Sequence, residues 1–178
     1  MDKYEFDRIT TRGGDRGESS LVDGQRRRKD DLYFETLGTL DELISVLGEV
    51  RADIAEERKA GIAELQKKLQ TVSGMVAVPK SSELFEKIAK IGEEDVEEVE
   101  RLEHELLGCT EVPQEFILPG DGPISARIHV ARTVCRRVER RIVTCIRDRG
   151  AAQLIPAQKY INRLADYLFL LALSEDRR

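Results

Sequence analysis

Residues 129–141 read HVARTVCRRVERR, and this stretch decides the fold because it has the pattern of a helix with two faces. Successive residues of an α-helix turn by about 100°, so residues three or four apart share a face. Arg132, Arg136 and Arg140 therefore lie on one face, with Glu139 beside them. Another arc is apolar and comprises Ala131, Val134, Cys135, Val138, Ile142 and Cys145. We predict a long helix that buries this arc and exposes its arginines.

Repulsion among the arginines lowers the stability of this helix. Like charges four residues apart destabilise a helix by a few tenths of a kcal/mol per pair. A bound polyanion would offset that cost, and a triphosphate is a good candidate.

The composition favours a helical protein. The chain has 178 residues, of which 35% are charged and 5% aromatic, with no Trp. A chain of this length can bury the core of one domain. The net charge of -5 argues against a general nucleic-acid-binding protein, so we expect no nucleic-acid partner.

Cysteines and histidines are few. The three cysteines match no zinc or redox spacing, and two histidines are too few for a histidine metal site. Cys135 and Cys145 lie on the apolar arc, so we predict buried free thiols. We find no signal peptide before the charged N-terminus and no apolar run of the roughly 20 residues that a membrane span needs. We therefore expect a protein of the reducing cytoplasm with no membrane partner.

Hydrophobic periodicity predicts four further helices besides the arginine-rich one. The first predicted helix begins at Asp31, the second spans 60–77 and the third spans 92–108. The fourth, arginine-rich helix runs from Pro123 to near Gly150, and the fifth begins at Pro156. In the first, Leu37, Leu40, Ile44 and Leu47 should point inward. Short connections and the lack of alternating segments indicate an all-α, five-helix antiparallel bundle without significant strands. We predict one domain over 1–178, with an N-terminal loop over 1–30 and the bundle over 31–173.

The stretch TTRGGDRGESS, residues 10–20, has the composition of a phosphate-binding loop. Glycines let several backbone N–H groups point into one concavity, and Arg12 and Arg16 add positive charge. It is not a Walker A motif, because no Gly-Lys-Ser/Thr follows and no strand precedes it. A flexible polar N-terminus is the alternative interpretation.

Four single residues are weaker candidates. Lys29 taken alone reads as a solvated lysine, and Asp41 is either a surface charge or the partner of an arginine on another helix. Asn162 can bind an adenine or ribose edge, or join two helices, and Asp166 follows it by one turn. No nucleophile–base pair is evident, so the chemistry should depend on positioning and charge stabilisation.

Five segments, in order along almost the whole chain, resemble the PduO-type ATP:cob(I)alamin adenosyltransferase family. Residues 11–17 are similar to its T-K/R-x-G-D-x-G loop, and residues 29–43 to its K-D-D…E…G-T-x-D-E-L pattern. Residues 116–120 match F-I-L-P-G, and residues 129–141 resemble H-x-x-R-T/A-x-C-R-R-x-E-R-R. Residues 160–169, YINRLADYLF, are similar to the helix F-L-N-R-L-S-D-Y-L-F.

The resemblance implies a ferritin-like five-helix bundle that assembles as a homotrimer, with ATP between neighbouring subunits. One subunit would wrap the triphosphate with Thr11, Arg12, Gly13, Gly14, Asp15, Gly17, Ser19, Ser20 and Lys29. The other would complete the site with Arg136, Arg137, Glu139, Arg140 and Asn162. Magnesium would bind mainly through the phosphates.

The resemblance also implies the reaction, in which the 5′-deoxyadenosyl group of ATP moves to the cobalt of cob(I)alamin and triphosphate leaves. Arg132 would pair with Asp41 across the interface and position the site. Phe116 and Asp166 would contact cobalamin. A cob(II)alamin reductase and an adenosylcobalamin-dependent enzyme are the implied protein partners.

Three departures from the family pattern fall in the loop, where Thr10 replaces an aromatic or similar residue, Gly13 replaces a commoner Thr and Glu18 adds an acid. Glu18 would weaken phosphate binding if it pointed inward. Two other functions remain open. One is an ATP- and cobalamin-binding sensor or delivery protein without turnover. The other is an RNA-binding bundle, which the net charge, the few aromatics and Glu139 disfavour.

Overall fold

The computed structural model describes residue 10 and residues 12–176. Most of this part is helical. The five helices are α1 (Leu32–Asp53), α2 (Glu56–Ala77), α3 (Glu93–Leu107), α4 (Pro123–Arg149) and α5 (Ile155–Asp176). Short 3-10 turns cover Glu83–Glu86 and Ala152–Leu154. The predicted five-helix class is confirmed.

Local sequence sets the helix ends. Asp31 caps α1, its carboxylate accepting a hydrogen bond from the Tyr33 backbone N–H at 3.0 Å. Pro123 occupies the first turn of α4, and Gly150 ends that helix with a left-handed φ of 65°. α2 begins at Glu56 rather than at residue 60, because an acidic first turn suits the positive end of the helix dipole.

The helices form a ring in which α1 packs on α2 and α4, α4 packs on α5, and α5 packs on α3. Ion pairs fix the directions of the neighbours. Arg149 pairs with Asp31 at one end of α1 and Arg127 pairs with Asp53 at the other, so α1 and α4 are antiparallel.

α3 and α5 are the parallel pair in this otherwise antiparallel arrangement. Lys159 pairs with Glu93 at 2.8 Å, and Arg163 pairs with Glu100 at 2.7 Å, so both chains advance in the same direction. Successive helices alternate in direction, so α3 and α5, which are separated by α4 in the sequence, run the same way and pack side by side.

The core lies inside the ring. Its fully enclosed large side chains are Leu40, Leu43, Leu47, Ile62, Leu69, Ile128, Ile142, Leu154, Tyr160, Ile161, Leu164 and Leu168. Burying one aliphatic side chain of this kind contributes about 1.5–3 kcal/mol. The apolar arc of the arginine-rich helix is buried along its whole length, as predicted.

The core differs from the prediction at Leu37 and Ile44 and agrees with it at two cysteines. Leu37 and Ile44 are only partly buried, because α1 packs between α2 and α4 and its stripe centres on Leu40, Leu43 and Leu47. Cys135 and Cys145 are buried free thiols as predicted, whereas Cys109 is exposed.

A small hairpin precedes the bundle and is consistent with the prediction of a chain without significant strands. Its strands are β1 (Glu18–Ser20) and β2 (Arg26–Arg28), which pair antiparallel with Ser19 opposite Arg27. Strands of three residues are too short to show an alternating pattern in the sequence. Gly24 supplies the left-handed residue of the turn, with φ of 82°.

Within the described residues, no helix combines the length and the apolar character that crossing a membrane requires.

Candidate functional site

The hairpin folds the N-terminal loop back on itself. The Lys29 backbone N–H donates to the Gly17 carbonyl at 2.8 Å, and the Gly17 N–H donates to the Gly14 carbonyl at 3.1 Å. Arg12 and Gly17 both have positive φ, at 56° and 78°. The described part of the loop is therefore a set of tight turns closed by β2, and not an open polar tail.

This closure brings Lys29 onto the glycines. A Cβ atom added to Gly14 would lie 2.8 Å from Lys29 Nζ and 3.0 Å from its Cε. Such an approach is possible only for glycine. An ammonium group over a glycine turn is a suitable arrangement for binding a phosphate.

Glu18 does not oppose the lysine. Its carboxylate accepts a hydrogen bond from Arg26 Nε at 3.3 Å, and the same guanidinium donates through Nη2 to the Gly13 carbonyl at 2.9 Å. Arg26 therefore engages the acid and ties the loop to β2. The sequence raised the concern that Glu18 weakens phosphate binding, and this ion pair counters it.

The other predicted loop residues lie as follows. Asp15 is exposed, and its backbone N–H donates to the Arg12 carbonyl at 3.3 Å. Ser19 and Ser20 lie on β1, half-buried and exposed respectively. Thr11 lies outside the described residues.

Seven of the eight arginines of α4 form two groups, and the eighth, Arg147, pairs with its neighbour Asp148. The group facing α1 is ion-paired: Arg127 with Asp53, Arg137 with Glu42, Arg141 with Glu35 and Arg149 with Asp31. The other group comprises Arg132, Arg136 and Arg140, which we call the arginine stripe. No carboxylate of the described residues pairs with any of the three. The stripe is thus a cationic surface that no carboxylate of residues 12–176 pairs with.

Glu139 joins α4 to α5 beside the stripe. Its Oε1 accepts hydrogen bonds from Asn162 Nδ2 at 3.1 Å and from Gln158 Nε2 at 3.3 Å. Asn162 Oδ1 in turn accepts from Arg163 Nη1 at 2.6 Å. The structure therefore brings Glu139 and Asn162 together, and Asn162 joins two helices, which was its alternative interpretation.

Arg132 lies at the N-terminal end of the arginine stripe. Its Nε donates to His129 Nδ1 at 3.4 Å, and its guanidinium carbon lies 5.9 Å from the centre of the Phe169 ring. Burial, and then the positive charge of Arg136, lower the pKa of Arg132 from its ordinary value. His129 is 3% exposed, and burial followed by the Arg132 charge lowers its pKa from 6.5. This environment favours the neutral form of the His129 imidazole.

A cleft of about 320 Å³ opens next to Arg132 and Arg136. Asp166 and Phe169 of α5 line it together with Glu103 of α3. Burial and then the Asp166 charge raise the pKa of Glu103. The cleft therefore has cationic, acidic and aromatic walls.

Three predicted residues lie apart from these groups within one chain. Asp41 is exposed on α1 and forms no ion pair with the described residues, Arg132 included. Arg137 pairs with Glu42 at 2.7 Å. Phe116 is fully exposed on the connection between α3 and α4. Their predicted roles remain predictions.

One chain does not join the loop to the arginine stripe. No hydrogen bond or ion pair connects residues 12–29 with Arg132, Arg136 or Arg140 in the described part of the chain. Arg27 pairs with Asp31, which in turn pairs with Arg149 at the C-terminal end of α4. The described contacts of one chain therefore do not bring the two predicted halves of the site together.

Sequence reasoning missed four residues of this region. Phe169 and Gln158 lie on α5 at helical spacing from Asp166 and Asn162, which was a usable signal. His129 was counted only as a possible metal ligand, although it lies one turn before Arg132. Glu103 carried no signal, since acidic residues surround it in the sequence. In the structure as described, no cluster of three His, Cys, Asp or Glu residues suited to holding a metal ion is present.

Comparisons with known proteins give consistent matches. The family model for cobalamin adenosyltransferase matches residues 9–175. The chain is 40% identical over 170 residues to the corrinoid adenosyltransferase MMAB of Mus musculus, covering 93% of this chain and 71% of that protein. It is 37% identical over 169 residues to a corrinoid adenosyltransferase of Citrobacter freundii, covering 95% of each.

A solved structure has the same fold. It is a variant of the PduO-type ATP:corrinoid adenosyltransferase from Lactobacillus reuteri, complexed with cobalamin and ATP. The TM-score is 0.87 at 28% sequence identity, covering 95% of this chain and 93% of that chain.

Proposed function

Since the chain belongs to the cobalamin adenosyltransferase family, we propose that it transfers the 5′-deoxyadenosyl group of ATP to the cobalt of cob(I)alamin. The products are adenosylcobalamin and triphosphate. The similar L. reuteri protein is complexed with both substrates, which supports the choice of ligands.

The observation that carries this proposal is the uncompensated arginine stripe. Four other arginines of α4 are paired with acids of α1, but Arg132, Arg136 and Arg140 have no carboxylate partner in the described residues. Three guanidiniums at i, i+4 and i+8 repel one another. A triphosphate offers several oxygens with which guanidiniums form charge-assisted hydrogen bonds. ATP bound there would remove the repulsion.

The proposed reaction requires little proton transfer by the protein. The cobalt of cob(I)alamin uses an electron pair to form the Co–C bond to C5′. The C5′–O bond breaks, and its electrons leave with the triphosphate. Correct alignment of the two substrates can contribute about 7–11 kcal/mol. Fixed cationic donors stabilise the charge that develops on the leaving group.

The residues of the site fit a reaction that depends on alignment and charge stabilisation. Lys29 over Gly14 and the stripe of α4 supply positive charge, while His129 is buried with a lowered pKa. Glu139 is held by Asn162 and Gln158 and so keeps the polar groups beside the stripe in place. These residues bind and orient, and none needs to exchange a proton with the substrate.

The site requires two copies of the chain. Among the described residues, no hydrogen bond or ion pair joins Lys29 to the arginine stripe, and one triphosphate must reach both. We propose a homotrimer in which the loop of one subunit meets the stripe of the next. Asp41 is exposed and unpaired within the described chain, and Arg132 lacks a carboxylate. The trimer would join them and so position the reacting groups.

Magnesium fits the site as a partner of the phosphates and not as a resident ion. Mg²⁺ commonly binds through one or two carboxylates together with substrate phosphates and water. Both hydrogen bonds to Glu139 reach Oε1, so Oε2 is the carboxylate oxygen that would hold the ion. When bound, Mg²⁺ neutralises part of the phosphate charge.

One edge of cobalamin would contact the cleft beside Arg132. Asp166 and Phe169 line that cleft, and Phe116 is fully exposed on the connection that precedes α4. An exposed aromatic ring has apolar surface to bury against a flat ligand. Because cobalt must arrive as Co(I), a one-electron reductase of cob(II)alamin is the expected partner, and an adenosylcobalamin-dependent enzyme is the expected recipient of the product.

The test is an anaerobic reaction of the purified protein with MgATP and chemically reduced cob(I)alamin. Adenosylcobalamin is followed by absorbance and triphosphate by chromatography. Equal amounts of both products support the transferase. Tight binding of ATP and cobalamin with neither product would instead identify a sensor or delivery protein. An affinity for RNA that falls steeply with salt and is unaffected by ATP would identify the RNA-binding alternative.

A further inference from the structure

The ring of helices is open between α2 and α3. α2 packs on α1 and α3 packs on α5, but α2 and α3 make little direct contact with each other. The gap, which we call the α2–α3 cleft, has a volume of about 150 Å³. It is lined by Gly61, Glu64, Leu65, Lys68, Asp95, Glu98, Val99, Leu102 and Tyr160. None of these residues belongs to α4 or to the N-terminal loop, so the cleft is separate from the proposed active site.

The interior of the cleft offers one polar group, the hydroxyl of Tyr160. This side chain is 1% exposed, and its hydroxyl has no hydrogen-bond partner in the described residues. Burial raises the pKa of Tyr160 above its ordinary value, so the hydroxyl keeps its proton and can donate it. Buried hydroxyls are normally hydrogen-bonded, so an unpartnered one facing a cleft indicates a missing acceptor.

Gly61 leaves the entrance of the cleft open. It lies in the middle of α2, where glycine is a poor helix former. A Cβ atom added there would have no neighbouring atom within 4 Å. Alanine would fit this space and suit the helix better, so packing does not explain the glycine. A larger side chain at Gly61 would extend into the cleft.

The rim is charged but balanced. Glu64 pairs with Lys67 at 2.6 Å, Glu98 pairs with Arg101 at 2.7 Å, and Asp95 pairs with Lys68. Each rim carboxylate therefore pairs with a cation, although Arg101 also pairs with Glu105. Because these pairs neutralise most of the rim charge, the rim has little preference for an anion or a cation.

From this arrangement we propose that the α2–α3 cleft binds a small uncharged organic molecule, with an aromatic or branched aliphatic body and one oxygen that accepts a hydrogen bond from Tyr160. Leu65 and Val99, 4% and 2% exposed, would contact the apolar body. A dry cavity of about 150 Å³ can hold one benzene-sized ring. Phenols, cyclic ketones and benzylic alcohols belong to this class.

The experiment titrates the full-length protein with phenol and follows amide chemical shifts by NMR. Saturable shifts confined to residues around the cleft are expected. Tyr160→Phe retains the ring and removes the hydroxyl, and the loss of one hydrogen bond should weaken phenol binding roughly five- to tenfold. Gly61→Met should fill the entrance and abolish binding.

Gly74→Met is the matched control. Gly74 is also inside α2 and also has no atom within 4 Å of an added Cβ, but it does not line the cleft. The Gly74→Met variant should bind phenol as the wild type does. Phenol binding that is absent in the wild type, or equally strong in the Tyr160 and Gly61 variants, would overturn the proposal. Neither result depends on adenosyl transfer.

Discussion

The Nζ atom of Lys29 lies so close to Gly14 that a methyl group added to Gly14 would meet it at 2.8 Å. The hairpin of β1 and β2 creates this approach, since it returns the chain to the turn from which it started. The glycine loop and the lysine are therefore one structural unit, although neither was a strong signal in the sequence. Their contact is the basis of the first prediction.

Gly14→Ala should weaken MgATP binding roughly three- to tenfold, because the methyl group displaces the lysine ammonium from the phosphate position. The fold should be unaffected, since the atoms that must move are the end of a flexible exposed side chain. Isothermal titration calorimetry measures the affinity. The free energy of unfolding should change by less than about 0.5 kcal/mol.

A double-mutant cycle provides the control for that variant. If Gly14→Ala acts through Lys29, it should have little further effect in a Lys29→Ala background. Additive losses of ATP affinity would show that the methyl group acts on another part of the loop.

The second prediction concerns the two surfaces of the site. Lys29→Ala and Arg136→Ala chains should each be inactive, but co-refolded mixtures should regain transfer activity. Random assembly would give up to about a quarter of the wild-type activity. An interface is intact only when its loop comes from an Arg136→Ala chain and its stripe from a Lys29→Ala chain. A mixture as inactive as its components would show that loop and stripe act within one chain.

Helical periodicity predicted the bundle because the buried stripes of α2, α4 and α5 are continuous. On α2 and α5, Ile62, Leu69, Ile161 and Leu168 repeat at helical spacing and are all fully buried. The packing of α3 beside α5 could not be predicted, since periodicity shows which face of a helix is buried and not which helix covers it. The hairpin was missed because three-residue strands leave no pattern.

The site was only partly predictable for a related reason. The spacing of Arg132, Arg136 and Arg140 along one helix is a local property, so the sequence revealed it. The distinction between these and the paired Arg137 is tertiary, because it depends on Glu42 of another helix. The approach of Lys29 to Gly14 likewise depends on the hairpin.

The third prediction concerns the core. Leu164 is completely buried on α5, and Leu164→Ala should lower the free energy of unfolding by about 2–5 kcal/mol through lost burial and the cavity left behind. Urea denaturation at fixed protein concentration measures it. Leu118→Ala, at a side chain 90% exposed, should change stability by less than about 0.5 kcal/mol. Equal losses in the two variants would contradict the assigned core.

The fourth prediction is a pH dependence at His129. Burial and the Arg132 charge lower its pKa from 6.5 in the folded protein, while the nearby Asp176 charge acts in the opposite direction. In the unfolded chain His129 takes up a proton near pH 6.5, which the folded chain resists. The stability contributed by a neutral His129 is therefore complete above pH 6.5 and falls as the pH drops below it.

NMR titration of the His129 imidazole and urea midpoints between pH 7.5 and pH 5.5 test this, about one unit either side of the ordinary value. His129→Gln should lose less stability than the wild type on acidification. An imidazole that titrates at or above pH 6.5 would contradict the prediction.

The most direct measurement is the single-turnover rate of adenosylcobalamin formation in two variants of the same helix. Arg136 lies in the uncompensated stripe, whereas Arg127 is paired with Asp53. Arg136→Ala should slow transfer by about 100- to 1000-fold, the usual cost of removing a fixed donor to a developing negative charge. Arg127→Ala should stay within about twofold of the wild type, since it removes an exposed ion pair. Equal rates in the two variants would contradict a triphosphate site on the arginine stripe.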